Sequence, residues 1–309
     1  MNNEELLQII EHAAKKKLTY LDLSEGGKSQ NLWKRFKGMF GFGSKLTALP
    51  GEIGNLSNLT SLTLSGNELT ALPGEIGNLS NLSWLYLSNN KLTALPGEIG
   101  NLSNLTELNL LANELTALPG EIGNLSNLKF LYLSNNKLTA LPGEIGNLSN
   151  LTELNLSDNQ LKALPGEIGN LSNLRWIYLS NNKLTALPGE IGNLSNLRWL
   201  YLEQNPLTSP PPEIVAQGTK AILAYLRELS RDSEKQWVSK LLVVGEGGVG
   251  KTSLLKALRG EPFNAEESTT HGIEIQALNV DHPTERGVFM QLNAWDFGGQ
   301  EIRPLAELG

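Results

Sequence analysis

The sequence predicts an α/β chain in two parts: a solenoid of short stacked strands, then an incomplete α/β domain built round a phosphate-binding loop. Two observations predict it. The string Leu-Pro-Gly-Glu-Ile-Gly-Asn-Leu-Ser-Asn-Leu begins at Leu49, Leu72, Leu95, Leu118, Leu141, Leu164 and Leu187, a period of 23 residues. Further on, Gly245-Glu246-Gly247-Gly248-Val249-Gly250-Lys251-Thr252 is a complete G-x-x-x-x-G-K-[ST] loop. It lies between the apolar run Leu241-Leu242-Val243-Val244 and the helix-prone Ser253-Leu254-Leu255-Lys256-Ala257-Leu258. That strand–loop–helix setting separates a phosphate loop from a chance match.

In chain order, residues 4–17 read as an amphipathic capping helix with acid first and base last, which complements the helix dipole. Residues 18–24 (Leu-Thr-Tyr-Leu-Asp-Leu-Ser) read as a first strand. The frame breaks over an insertion at 25–45 carrying Lys28, Lys34, Arg35, Lys37 and Lys45 with Trp33, Phe36, Phe40 and Phe42 interleaved. Such a segment suits an anionic lipid surface or nucleic acid. A mobile loop, or a flap over the first repeat, is the plainer reading and the preferred one.

Each repeat contains L-x-x-L-x-L-x-x-N-x-L, as at Leu59, Leu62, Leu64, Asn67 and Leu69. This is the leucine-rich repeat pattern, and it places the solenoid at 18–212. One unit cannot bury its leucines alone, whereas stacked units share a continuous core. Asn67, Asn90, Asn113, Asn136, Asn159, Asn182 and Asn205 recur at the turn, where each is expected to hydrogen-bond buried backbone as scaffold. Side chains alternate along a strand, so the third and fifth places of each unit face outward on the concave side. Those places hold Ser61/Thr63, Trp84/Tyr86, Glu107/Asn109, Phe130/Tyr132, Glu153/Asn155, Trp176/Tyr178 and Trp199/Tyr201. Three of the six Trp and four of the six Tyr fall there. Such a stripe reads as a surface for a protein or peptide partner, with Lys129, Arg175 and Arg198 beside it. The plainer alternative is cross-strand stabilisation of the sheet, copied by duplication.

After the repeats, a connecting helix is expected from about 212 to 230, with Ile222, Leu223, Tyr225, Leu226 and Leu229 on its apolar face. With the polar run at 231–236 it makes a linker region, 213–238, before the nucleotide module at 239–309. In that module the glycines let backbone N–H groups face phosphate oxygens at a helix N-terminus. Lys251 offers its charge to the terminal phosphates and Thr252 its hydroxyl to Mg²⁺. A turn that binds nothing does not explain why Lys and Thr follow the last glycine. Downstream, Glu267-Ser268-Thr269-Thr270-His271-Gly272-Ile273 leads into a strand. A second strand ends in Asp296-Phe297-Gly298-Gly299-Gln300-Glu301, the layout of a Ras-like switch.

Repeats, a connecting helix, this P-loop, Thr-x-Gly-Ile and Asp-Phe-Gly-Gly-Gln-Glu in that order resemble the Roco family. In that family a Ras-of-complex (Roc) GTPase domain is followed by a dimerising COR domain. The fold implied is a leucine-rich-repeat solenoid followed by an incomplete Ras-like P-loop α/β domain. The resemblance implies GTP or GDP held by Gly245, Glu246, Gly247, Gly248, Val249, Gly250, Lys251, Thr252 and Ser253. It implies Mg²⁺ on Thr252, Thr270 and Asp296, with Thr269 the alternative to Thr270. The Gly299 amide would sense the γ-phosphate and Gln300 would orient the attacking water. Trp295 and Phe297 read as packing beside the switch.

The chain departs from the family pattern after Glu301, where no Asn/Thr-Lys-x-Asp motif appears to read guanine. Guanine over adenine therefore rests on the resemblance, and a dimer would need a COR domain downstream. The expectation is that GTP hydrolysis belongs to a complete family member and that this piece is too short for it. The alternative is a leucine-rich-repeat scaffold with an inactive, truncated nucleotide module. A P-loop ATPase of another class is disfavoured by the Gly-Gly-Gln-Glu ending.

Composition limits the remaining choices. The formal charge of −7 argues against a nucleic-acid partner. With no cysteine, disulfides and thiolate metal sites are excluded. His12, His271 and His282 lack metal-ligand spacing. The acidic start lacks the pattern of a secretory signal, and no run approaches 18 apolar residues, so a cytoplasmic protein without a transmembrane segment is expected.

Overall fold

The computed structural model describes residues 3–24, 45–231, 237–243, 251–258, 273–281 and 289–297. The chain divides into two compact units, 1–231 and 232–309.

In the first unit, the 23-residue period becomes one strand and one 3-10 turn per repeat. Eight strands form a parallel sheet in strict sequence order: β1 (Tyr20–Asp22), β2 (Ser61–Thr63), β3 (Trp84–Tyr86), β4 (Glu107–Asn109), β5 (Phe130–Tyr132), β6 (Glu153–Asn155), β7 (Trp176–Tyr178) and β8 (Trp199–Tyr201). Pairing is in register with the repeat, so Leu62, Leu85, Leu108, Leu131, Leu154, Ile177 and Leu200 stand opposite one another in turn. These side chains are buried in one core that runs the length of the stack. On the other side, seven 3-10 turns repeat Gly-Glu-Ile-Gly-Asn, each entered from an extended proline that has no N–H to leave unpaired. Adjacent turns pack very closely. A Cβ on Gly123 would lie 2.5 Å from the Glu144 carbonyl oxygen, which is why glycine occupies that place.

The turn asparagines hold the stack together at its buried edge. Asn136 Oδ1 accepts from the Leu115 N–H at 3.0 Å, while its Nδ2 donates to the Leu110 and Leu133 carbonyls, both at 3.0 Å. Asn67, Asn90, Asn113, Asn159, Asn182 and Asn205 repeat the pattern. Without these bonds the turn would leave several buried backbone groups unpaired. Two features were not read from the sequence. The residue before each of these asparagines has a left-handed backbone: Gly66, Asn89, Ala112, Asn135, Asp158, Asn181 and Gln204. A second, exposed ladder also runs between repeats, in which Asn81, Asn104 and Asn127 donate to the Ser57, Ser80 and Ser103 carbonyls.

Both ends of the core are covered. Helix α1 (Asn3–Lys15) buries Leu6, Ile9, Ile10 and Ala13, with Glu4 and Glu5 in its first turn and Lys15 in its last. The connecting helix expected over 212–230 is instead two helices, α2 (Pro212–Val215) and α3 (Thr219–Arg231), parted at Gly218 with φ +87°. Helix α3 closes the last repeat: Ile222, Leu223 and Leu226 are buried, and Arg227 Nε donates to the Gly192 carbonyl at 2.6 Å. Leu229, assigned above to the apolar face, is exposed, because the core surface ends before the last turn of the helix. Of the basic insertion, 25–44 lies outside the described residues.

In the second unit, three strands form a sheet in the order β10 (Ile273–Asp281), β11 (Phe289–Phe297), β9 (Trp237–Val243). β9 and β11 are parallel, and β10 and β11 antiparallel. Helix α4 (Lys251–Leu258) contacts β11. Among the described residues no helix is long and apolar enough to cross a membrane.

Candidate functional site

Strand β9 and helix α4 flank the glycine-rich motif in the chain. Parallel pairing sets Asp296 beside Val243, two residues before the glycine-rich loop begins. Helix α4 opens on Lys251 as that loop ends, and Thr252 and Ser253 follow in its first turn. Val243 and Asp296 therefore share the carboxyl end of the parallel strands, the end at which open α/β sheets bind their ligands. Lys251 is only 9% exposed, and Leu255, one turn on, is buried, so α4 presents its first residue inward. Of the other expected residues, Gly245, Glu246, Gly247, Gly248, Val249, Gly250, Thr270, Gly299 and Gln300 lie outside the described residues. For Mg²⁺, Thr252 and Asp296 are oxygen donors of the kind that ion takes, on two elements that contact each other. That donor chemistry fits the ion.

The concave face of the repeats is the second candidate. Trp84 and Trp199 are 42% and 53% exposed, while Tyr86, Phe130, Tyr132, Trp176, Tyr178 and Tyr201 are half-buried. All eight point away from the leucine core, in the outward places their spacing predicts. Tyr178 and Tyr201 stack with ring centroids 4.8 Å apart, and Trp199 lies nearly parallel to Tyr201 at 6.4 Å. Cross-strand stacking thus occupies part of the ring surface at this end.

Sequence reasoning underrated two residues on this face, Glu107 and Glu153. Both stand in outward places among the rings, and Tyr86 Oη donates to Glu107 Oε2 at 3.3 Å. Burial, then the charge of Glu107, pushes the Glu153 carboxyl above its ordinary value. Burial first, then the charges of Glu153 and Glu107, pushes the Tyr132 phenol up to about 12. Tyr86 and Tyr178 are raised by burial and then by Glu107 and Glu153 respectively. The face is therefore negative as well as aromatic. The signal was present in the sequence, as Glu at two outward places with no basic residue in either outward column.

A shallow polar groove lies beside the strands, lined by Asn58, Thr60, Asn81, Ser83, Asn104 and their neighbours. The amides of Asn81, Asn104 and Asn127 there are already bonded between repeats, so the groove is scaffold.

Two protein-family models match the chain. One, described as a leucine-rich repeat region, matches residues 38–119 and 116–244. The other, described as the Ras of Complex, Roc, domain of DAPkinase, matches 240–305. Among curated proteins, the chain is 38% identical over 108 residues to the probable serine/threonine-protein kinase pats1 of Dictyostelium discoideum, covering 29% of this chain and 3% of that protein. It is 36% identical over 72 residues to the Ras-related protein Rab11E of Lotus japonicus, covering 23% of this chain and 31% of that protein. Among solved structures, that of the Toll–Spätzle complex of Drosophila matches with a TM-score of 0.51 and 32% identity, covering 53% of this chain and 23% of that one. The matched stretches thus span less than a third of the length of each of these relatives.

Proposed function

The chain belongs to the leucine-rich repeat family, and from that premise we propose that it is a Roco-type signalling protein that binds a protein partner on its repeats and GTP on its P-loop. The observation that carries the nucleotide half is the shared strand end: Asp296 pairs beside Val243 at the carboxyl end of two parallel strands, and helix α4, which contacts β11, opens on a buried Lys251. The match to a Roc model over 240–305 supports guanine as the base. The backbone at 245–251 and Lys251 hold the β- and γ-phosphates, with Ser253 adjoining. Thr252, Thr270 and Asp296 would hold Mg²⁺, which would supply neutralisation of the phosphate charge. The Gly299 amide meets the γ-phosphate, and Gln300 orients the attacking water when the domain is complete. Phosphoryl transfer needs positioning and charge neutralisation more than a strong base, so this set suffices.

Labelled GTP titrated with Mg²⁺ into protein from the full coding region tests this assignment. Lys251→Ala is expected to weaken binding at least about 100-fold, as loss of a buried cation on a polyphosphate does. Equal binding by parent and variant would defeat it. In that event the open aromatic face favours the second reading, a repeat scaffold whose nucleotide segment is inactive.

A further inference from the structure

Cross-strand register lines up Trp84, Glu107, Phe130, Glu153 and Trp176 as one row on the concave face, ring and acid in alternation. A second row beside it holds Tyr86, Asn109, Tyr132, Asn155 and Tyr178. Among the described residues neither Glu107 nor Glu153 has an ion-pair partner. The nearby cations do not supply one: Lys129 and Arg175 are exposed, each one residue ahead of its strand. Two half-buried carboxylates with no ion-pair partner among the described residues offer a ligand cation two places to seat. The flanking rings add to this, since each acid has aromatic neighbours on the adjacent strands and a cation within about 6 Å of a ring face is attracted to it.

The spacing selects the ligand's backbone. Glu107 and Glu153 are separated by a single strand, β5, so their positions are about 9.6 Å apart at the usual strand spacing. A polyproline-II chain brings every third side chain to the same side, about 9.3 Å further on. An extended β-strand turns the third residue to the opposite side.

We propose that the concave face binds a proline-rich cationic peptide segment, with two Arg or Lys residues three positions apart seated on Glu107 and Glu153. Between them the prolines lie on Phe130 and Tyr132. Arg is favoured over Lys, because its planar group pairs with a carboxylate and stacks on a ring together. This inference rests on the concave face being a partner surface and adds the partner's chemistry.

Three peptides carrying a neutral dye test it by anisotropy with the full chain: Pro-Arg-Pro-Pro-Arg-Pro, the register-shifted Pro-Arg-Pro-Arg-Pro-Pro, and the acidic Pro-Glu-Pro-Pro-Glu-Pro. The first is expected to bind at least about tenfold tighter than the second, with no saturable binding of the third. The double variant Glu107→Gln with Glu153→Gln, isosteric and so no threat to folding, is expected to lose at least about 30-fold. Equal affinity for the shifted or acidic peptide, undiminished binding by the double variant, or no binding of any peptide would overturn the proposal. Binding indifferent to both carboxylates but lost with Trp84→Ala and Trp176→Ala would overturn the cationic assignment alone and leave the partner surface standing. Binding indifferent to all four substitutions would place the peptide elsewhere and remove both.

Discussion

At the scale of single residues, the turn before each scaffold asparagine shows how repetition and local strain interact. Six of the seven left-handed residues are Gly, Asn, Asp or Gln; the seventh, Ala112, has φ 54°. A Cβ in that region costs about 1–2 kcal/mol unless a short polar side chain compensates. Ala112→Asn, which restores the residue found at Asn89 and Asn135, is therefore expected to stabilise the repeats by about 0.5–1 kcal/mol. Chemical denaturation would read this as a raised midpoint at constant slope. The phenol of Tyr132 makes a second case. Its value in the folded protein is raised to about 12, so the folded state holds its proton where the unfolded chain has released it. That contribution is present in full below about pH 10 and is lost as pH rises towards 12. An ultraviolet titration of tyrosinate should show a late step near pH 12 that Tyr132→Phe removes.

At the scale of elements, each strand does two separate jobs with three residues. Its middle residue enters the core, and the two on either side face the concave surface. That division was legible in the sequence, because alternation along a strand is local. The loss of a hydrogen-bonded rung is prevented by asparagine on one edge and by close glycine contacts such as that of Gly123 on the other. Helix α3 was legible only in outline. Its apolar spacing announced a helix, but Gly218 parts it from α2, and the extent of the last repeat decides that Leu226 is covered and Leu229 is not. The electrostatics of the concave face arise between elements. Glu153 is raised by burial first and by Glu107 second, and these two residues are two strands apart.

At the scale of the whole molecule, the repeat unit is a one-dimensional stack in which each rung touches only its neighbours. Stability is then a sum of rung and interface terms, and a defect in the middle divides the stack. Leu131→Ala empties a fully buried position in a central strand and is expected to cost about 2–5 kcal/mol. Unfolding followed by circular dichroism should broaden into two stages, whereas Leu21→Ala in β1 should only fray the end; a single sharp transition for both would contradict the stack. The sequence by itself determined the repeat, its leucine core, the outward rings and the glycine-Lys-Thr loop, because each is a matter of spacing along the chain. Only the tertiary structure decided that Asp296 lies beside Val243, that β10 runs against β11, and that two carboxylates share a wall of rings with no ion-pair partner among the described residues. Those relations join residues far apart in the chain, and pairing between distant strands is set by packing of the whole, not by any local pattern.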